Sequence, residues 1–141
     1  MASEREFFTI SLIYLTEVLG FTLVLPLLPF YAVAFGASPI TVGVIISAFS
    51  LFQFFSSPII GRLSDKYGRK PLLILSQAAT LLGFIIMAFA NSLFMLFLSR
   101  ALDGILGSNL VLSQTYLADI TPERDRARAF NKLGIIFAIG F

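Results

Sequence analysis

The sequence predicts an all-α membrane protein with four transmembrane helices and the start of a fifth, and three observations predict it. Of the 141 residues, 57% are hydrophobic and only 13% charged, whereas soluble domains carry about 25% charge. Four apolar segments each reach the roughly 20 residues that a helix needs to cross a bilayer. Lysine and arginine cluster in alternate gaps between those segments, as in a chain threaded back and forth with its basic loops in the cytoplasm.

The first span is expected at residues 7–34. Its apolar run exceeds the roughly 7–15 residues of a signal-peptide core and no small-residue cleavage site follows, so it reads as a retained helix. The second, 40–60, follows Ser38-Pro39, a helix-start signal. The third, 72–90, has Pro71 in its first turn, where the missing N–H costs nothing. Only Ser76, Gln77 and Thr80 interrupt it with polar groups, which suits a peripheral, lipid-facing place. The fourth, 93–117, follows a cap at Asn91-Ser92. Thr121-Pro122-Glu123 opens a turn or an interfacial helix. A fifth segment, 133–141, would rise only about 13 Å as a helix, less than half the hydrocarbon thickness. Residues 1–141 are therefore expected to be a partial N-terminal transmembrane domain, the first part of a longer chain. Pro26, Pro29 and Pro58 lie within or near spans, where neighbouring helices or cavity water must satisfy the freed carbonyls. Gly43/Ser47 and Gly104/Ser108, small residues at four-residue spacing, allow close helix approach.

The gaps at 35–39 and at Asn91-Ser92 hold no basic residue. The gap at 61–71 holds Arg62, Lys66, Arg69 and Lys70, and that at 118–132 holds Arg124, Arg126, Arg128 and Lys132. This alternation places both basic gaps, and the N-terminus with Arg5, in the cytoplasm of a multi-pass cell-membrane protein. The basic pI of 9.2 is thus a topology signal, and no nucleic-acid partner is expected. With no cysteine and no histidine, a disulfide scaffold, a thiolate metal site and the usual general base are excluded. No metal or cofactor is expected. An intramembrane enzyme would need an aspartyl or Ser-Lys arrangement, yet no lysine falls in a span and the acids in spans lie on different helices.

Those acids are Glu17 and Asp103. Glu17 lies about 15 Å into the first span if the helix begins near Phe7. There a carboxylate must face water, pair, or take up a proton; a helix that starts later would leave it near the interface. Arg100 and Asp103, three residues apart, share one helix face. They either neutralise each other, with Arg100 snorkelling outward, or work as a functional pair. Gln53, Asn109 and Gln114 either line a cavity or bond neighbouring helices.

The gap "GRLSDKYGRKP" concentrates four basic residues and one acid, Asp65, between two glycines, Gly61 and Gly68. Read physically, it is a very tight connection between antiparallel helices, and its acid works against a purely positive loop. The stretch resembles the loop between helices 2 and 3 of the major facilitator superfamily, G-x-L-(S/A)-D-(R/K)-x-G-R-(R/K), matching at Gly61, Leu63, Ser64, Asp65, Lys66, Gly68, Arg69 and Lys70. "RALDGILG", from Arg100, resembles the fourth-helix pattern R-x-x-x-G-x-x-G of the drug:proton antiporter branch. "YLADITPERDRARAFNKLG" and "TEVLGFTLVLPLLP" are similar to the corresponding stretches of that branch, which includes tetracycline-type efflux pumps.

The resemblance implies a twelve-helix transporter whose N-terminal six-helix half contains this chain, with the C-terminal half of the same chain, the lipid bilayer and a small-molecule substrate as partners. It implies a cytoplasmic gating latch of Asp65, Arg69 and Asp119, flanked by Gly61 and Gly68. It also implies proton or substrate handling by Glu17, Arg100 and Asp103, with protons as the coupling ion. Two positions depart from the pattern. Glu17 stands where tetracycline-type pumps carry aspartate, and Asp103 where a small or amide residue is usual. The expected function is proton-coupled efflux of a drug-like or hydrophobic molecule. Proton-coupled uptake of a sugar or other metabolite, and a non-transporting membrane adaptor, are the alternatives.

Overall fold

The computed structural model describes residues 4–141, and no strand occurs among them. Six helices follow one another: α1 (Glu4–Ala34), α2 (Pro39–Tyr67), α3 (Arg69–Ala88), α4 (Leu93–Leu106), α5 (Asn109–Ile120) and α6 (Glu123–Gly140). Four stretches are long and apolar enough to cross a membrane: Glu4–Ala34, Pro39–Tyr67, Arg69–Ala88 and Leu93–Ile120, the last being α4 and α5 in succession.

Several boundaries differ from the sequence expectation, α1 already beginning at Glu4, and three of the differences are large. The basic island is helical on both sides of Gly68, which sits at φ 94° and alone separates α2 from α3. Hydropathy marks where apolar side chains stop, whereas Arg, Lys and Leu continue a helix readily. The fourth span is broken at Gly107-Ser108, where the Gly107 N–H donates to the Asp103 carbonyl at 2.6 Å and the Ser108 N–H to that of Leu106 at 2.9 Å. The last helix begins at Glu123, within the expected 118–132 connection, and its charged first turns run into the apolar 133–140 stretch.

Helix ends are set by local chemistry. The Ser38 hydroxyl accepts the Thr41 N–H at 3.2 Å with Pro39 in the first turn of α2, and the Ser92 hydroxyl accepts that of Met95 at 3.4 Å. α1 closes in a Schellman turn: Ala37 N–H bonds the Ala32 carbonyl at 3.0 Å and Gly36 N–H that of Val33 at 2.9 Å, with Gly36 at φ 81°. A side chain at that φ crowds its own carbonyl, so Gly36→Ala is expected to lower stability by about 1 kcal/mol. Nothing lies within 4 Å of a Cβ at Gly36, so the loss reports backbone strain alone; thermal unfolding in detergent measures it.

The described residues form two compact units, one from residues 4–23 with 109–141 and the other from 24–108. In the first, Ile10, Tyr14 and Val18 make an i, i+4, i+8 stripe on α1 that packs with Leu117 of α5 and with Ala129 and Leu133 of α6. The Arg126 guanidinium donates to the carbonyls of Ala118 and Thr121 at 3.2 and 3.3 Å, terminating α5.

In the second unit α4 packs against both α2 and α3. Val24, Leu28 and Ala32 form a stripe that meets Ile45 and Leu96. α3 turns Ile74, Leu81, Leu82 and Ile85 outward but buries Leu72, Leu73, Ser76, Ala79, Thr80 and Gly83. α3 thus has an exposed apolar face, as a peripheral place requires, and a packing face made of small and polar residues. Gly104 lets α4 touch α2, and the Ser56 hydroxyl donates across that contact to the Gly104 carbonyl at 3.0 Å.

Candidate functional site

In the first unit, α1 carries Glu17 one turn beyond Tyr14, and α5 opens at Asn109. Glu17 is 7% exposed and Asn109 fully buried. The Asn109 Nδ2 donates to Glu17 Oε2 at 2.8 Å. An ionisable group at such a position is expensive unless hydrogen-bonded, and a primary amide supplies a donor without a compensating charge. Glu17 is thus buried in protein. One turn along α5, Gln114 Nε2 donates to the Tyr14 hydroxyl at 3.2 Å. Together these groups form a polar seam between α1 and α5.

In the second unit, Arg100 and Asp103 are 4% and 3% exposed. Their side chains meet at 3.5 Å between Nη1 and Oδ2. The Thr80 hydroxyl of α3 donates to the other carboxylate oxygen, Oδ1, at 2.8 Å. The Arg100 guanidinium lies over the Phe84 ring, 5.9 Å from its centroid, an attraction worth about 2 kcal/mol when desolvated. Arg100 therefore does not snorkel outward; it is folded against α3. The buried carboxylate thus has a hydroxyl donor on one oxygen and a guanidinium near the other.

At the corner between α2 and α3, Arg69 Nη2 pairs with Asp65 Oδ1 at 2.6 Å, and the Arg69 guanidinium also donates to the Ser64 hydroxyl. Asp65 is 66% exposed in this pair, so the pair adds only about 0–1 kcal/mol to stability. Gly61, in the last turns of α2, has open space around it, and its carbonyl accepts the Ser64 hydroxyl at 2.7 Å. Asp119 is exposed in the last turn of α5 and belongs to the first unit, not to the one that holds Asp65 and Arg69. Gln53 is half-buried in α2, its carbonyl taking the Ser57 hydroxyl at 2.6 Å.

Sequence reading assigned no role to Tyr14, Thr80 or Phe84, all of which touch these groups. A signal for Thr80 existed. Ser76, Thr80 and Gly83 recur at helical spacing, which marks one face of α3 as small and polar and fit to meet another helix. Nothing in the local sequence announces that Tyr14 would receive Gln114.

Apolar helices of spanning length, with paired charges buried in their interiors, define a multi-pass membrane protein. The chain belongs to the Major Facilitator Superfamily, whose family model matches residues 10–141, a family of transporters and not of enzymes. It is 34% identical over 140 residues to the class H tetracycline resistance protein of Pasteurella multocida, covering 97% of this chain and 35% of that protein. To the class B tetracycline resistance protein of Escherichia coli it is 34% identical over 131 residues, 91% of this chain and 33% of that protein. To the inner membrane transport protein YajR of Escherichia coli K12 it is 33% identical over 139 residues, 98% and 30% of the two chains. The chain spans about a third of the length of these curated relatives.

Proposed function

We propose that the chain forms part of a secondary transporter that works by alternating access and exports a hydrophobic, drug-like compound in exchange for protons. The observation that carries this reading is the buried Glu17–Asn109 contact. A carboxylate held inside a spanning helix by a neutral amide, at a cost in folding free energy, is suited to exchanging a proton during each cycle. Arg100 and Asp103 form a second charged centre that tunes or shares the proton load. Asp65 and Arg69, between Gly61 and Gly68, form an exposed charge pair that suits one side of a cytoplasmic latch. In this topology the N-terminus and both basic segments face the cytoplasm. Similarity to tetracycline resistance proteins supports export, and makes tetracycline the probe to try first.

The test uses everted membrane vesicles containing the full-length protein, with a pH-sensitive dye in the lumen. Adding tetracycline to acid-loaded vesicles is expected to release protons as the drug accumulates. An unchanged pH with no drug uptake sinks the export reading. In the same assay Asp65→Asn is expected to reduce flux roughly tenfold or more, the scale of losing one charge-assisted hydrogen bond. Its membrane insertion and melting temperature should stay at wild-type values, because the Asp65–Arg69 pair is exposed and adds little stability. Normal flux in a well-inserted variant would remove Asp65 from the mechanism.

A further inference from the structure

We propose that Thr80 is a positioning residue for the Arg100–Asp103 centre: its hydroxyl, in a socket kept open by glycines at 83 and 107, fixes the carboxylate that Arg100 meets. Its consequence for transport rests on the proton-coupled reading above, whereas the socket itself rests on geometry alone.

The carboxylate is held unequally. Thr80 Oγ1 lies 2.8 Å from Oδ1, whereas Arg100 Nη1 lies 3.5 Å from Oδ2. The short, directional contact is the one to α3, so the hydroxyl sets the carboxylate plane and the guanidinium approaches an oxygen already in place. Arg100 also reaches the Ser99 hydroxyl through Nε at 3.4 Å and lies over the face of Phe84.

The space around the carboxylate has matching demands. A Cβ at Gly107 would collide with the Asp103 carbonyl and carboxylate oxygens and would lie 3.1 Å from Thr80 Oγ1. A Cβ at Gly83 would lie 3.3 Å from the Asp103 Cβ. Gly83 of α3 and Gly107 at the end of α4 thus leave the space that the Asp103 side chain occupies. No ionisable side chain lies on α2 between residues 39 and 61 or on α3 between 71 and 88. Among α2, α3 and α4, Arg100 is therefore the one ionisable partner along the spanning stretches, and Thr80 is the neutral group that biases the carboxylate.

A donor to the ionised carboxylate favours that form, so removing it favours proton retention. Thr80→Val keeps the shape and deletes the donor; Thr80→Ser keeps the donor. In the full-length protein reconstituted in liposomes, tetracycline-driven proton release by Thr80→Val is expected to show a pH profile displaced from that of the wild type. Thr80→Ser should retain the wild-type profile. A Thr80→Val variant that melts lower but keeps the wild-type profile, or a Thr80→Ser variant that behaves like valine, overturns the proposal. If Thr80→Val does not insert, Thr80→Ala carries the same expectation. Should the wild type move neither drug nor protons, the export reading fails, and an infrared titration of the carboxyl band lost in Asp103→Asn still decides the socket. A displacement of that band's titration between wild type and Thr80→Val supports it, and coincident titrations overturn it.

Discussion

Glu17→Gln is expected to lower proton-coupled drug flux by about 100-fold, the scale on which a positioned proton-transferring group contributes. Glutamine has the same shape and accepts the Asn109 Nδ2 donor through its carbonyl oxygen, so the 2.8 Å contact survives and the seam still packs. It cannot take up or release a proton. Folding and membrane insertion should therefore equal or exceed those of the wild type, because a buried ionisable group has been replaced by a neutral one. Drug binding without transport, measured by equilibrium dialysis on the purified full-length protein, would place the defect in coupling. Flux retained by a well-inserted Glu17→Gln protein would remove Glu17 from the proton pathway.

Gly104→Ala is expected to destabilise the second unit by about 1–3 kcal/mol, the usual cost of inserting a methyl group where there is no room. A Cβ at residue 104 would lie 2.5 Å from the Phe49 carbonyl oxygen and 3.0 Å from the Phe52 Cβ. Because the first obstacle is backbone, no rotamer change relieves it. α2 would have to move away from α4, and the Ser56 hydroxyl would then lose its 3.0 Å bond to the Gly104 carbonyl. Gly43→Ala is the control, since nothing lies within 4 Å of a Cβ there; it should leave the melting temperature unchanged or raise it slightly. Equal melting temperatures for the two variants would mean that α2 and α4 do not pack as closely as described.

The same pair of glycines shows how far sequence reading reaches. Gly43/Ser47 and Gly104/Ser108 have identical spacing, and the pattern predicts a close approach for both. Only Gly104 makes one. Spacing states that a side chain is small; it does not state whether another helix stands opposite. Gly104 and Gly107 divide in a similar way, one admitting α2 and the other ending α4. Gly107 is followed by Ser108-Asn109, a turn-favouring run, and Gly104 by Ile105-Leu106; the apolar stretches on both sides masked that break. The acids inside spans were legible because charge at that depth is rare and conspicuous. Their partners, 92 residues away for Glu17 and 23 for Asp103, were not, since an asparagine or threonine in a spanning helix is common.

By itself the sequence determined that the chain crosses a membrane repeatedly as helices, because lipid demands about 20 apolar residues per span with all backbone bonds made internally. It also determined the family, through a loop signature whose residues are adjacent in the chain. Tertiary structure alone decided that Asn109 meets Glu17, that Thr80 orients Asp103, and that Arg100 folds against Phe84 and not outward. The physical reason is that hydropathy acts on each residue separately, whereas a hydrogen bond needs two groups within about 3 Å. Helices remote in sequence reach that distance only after they have packed.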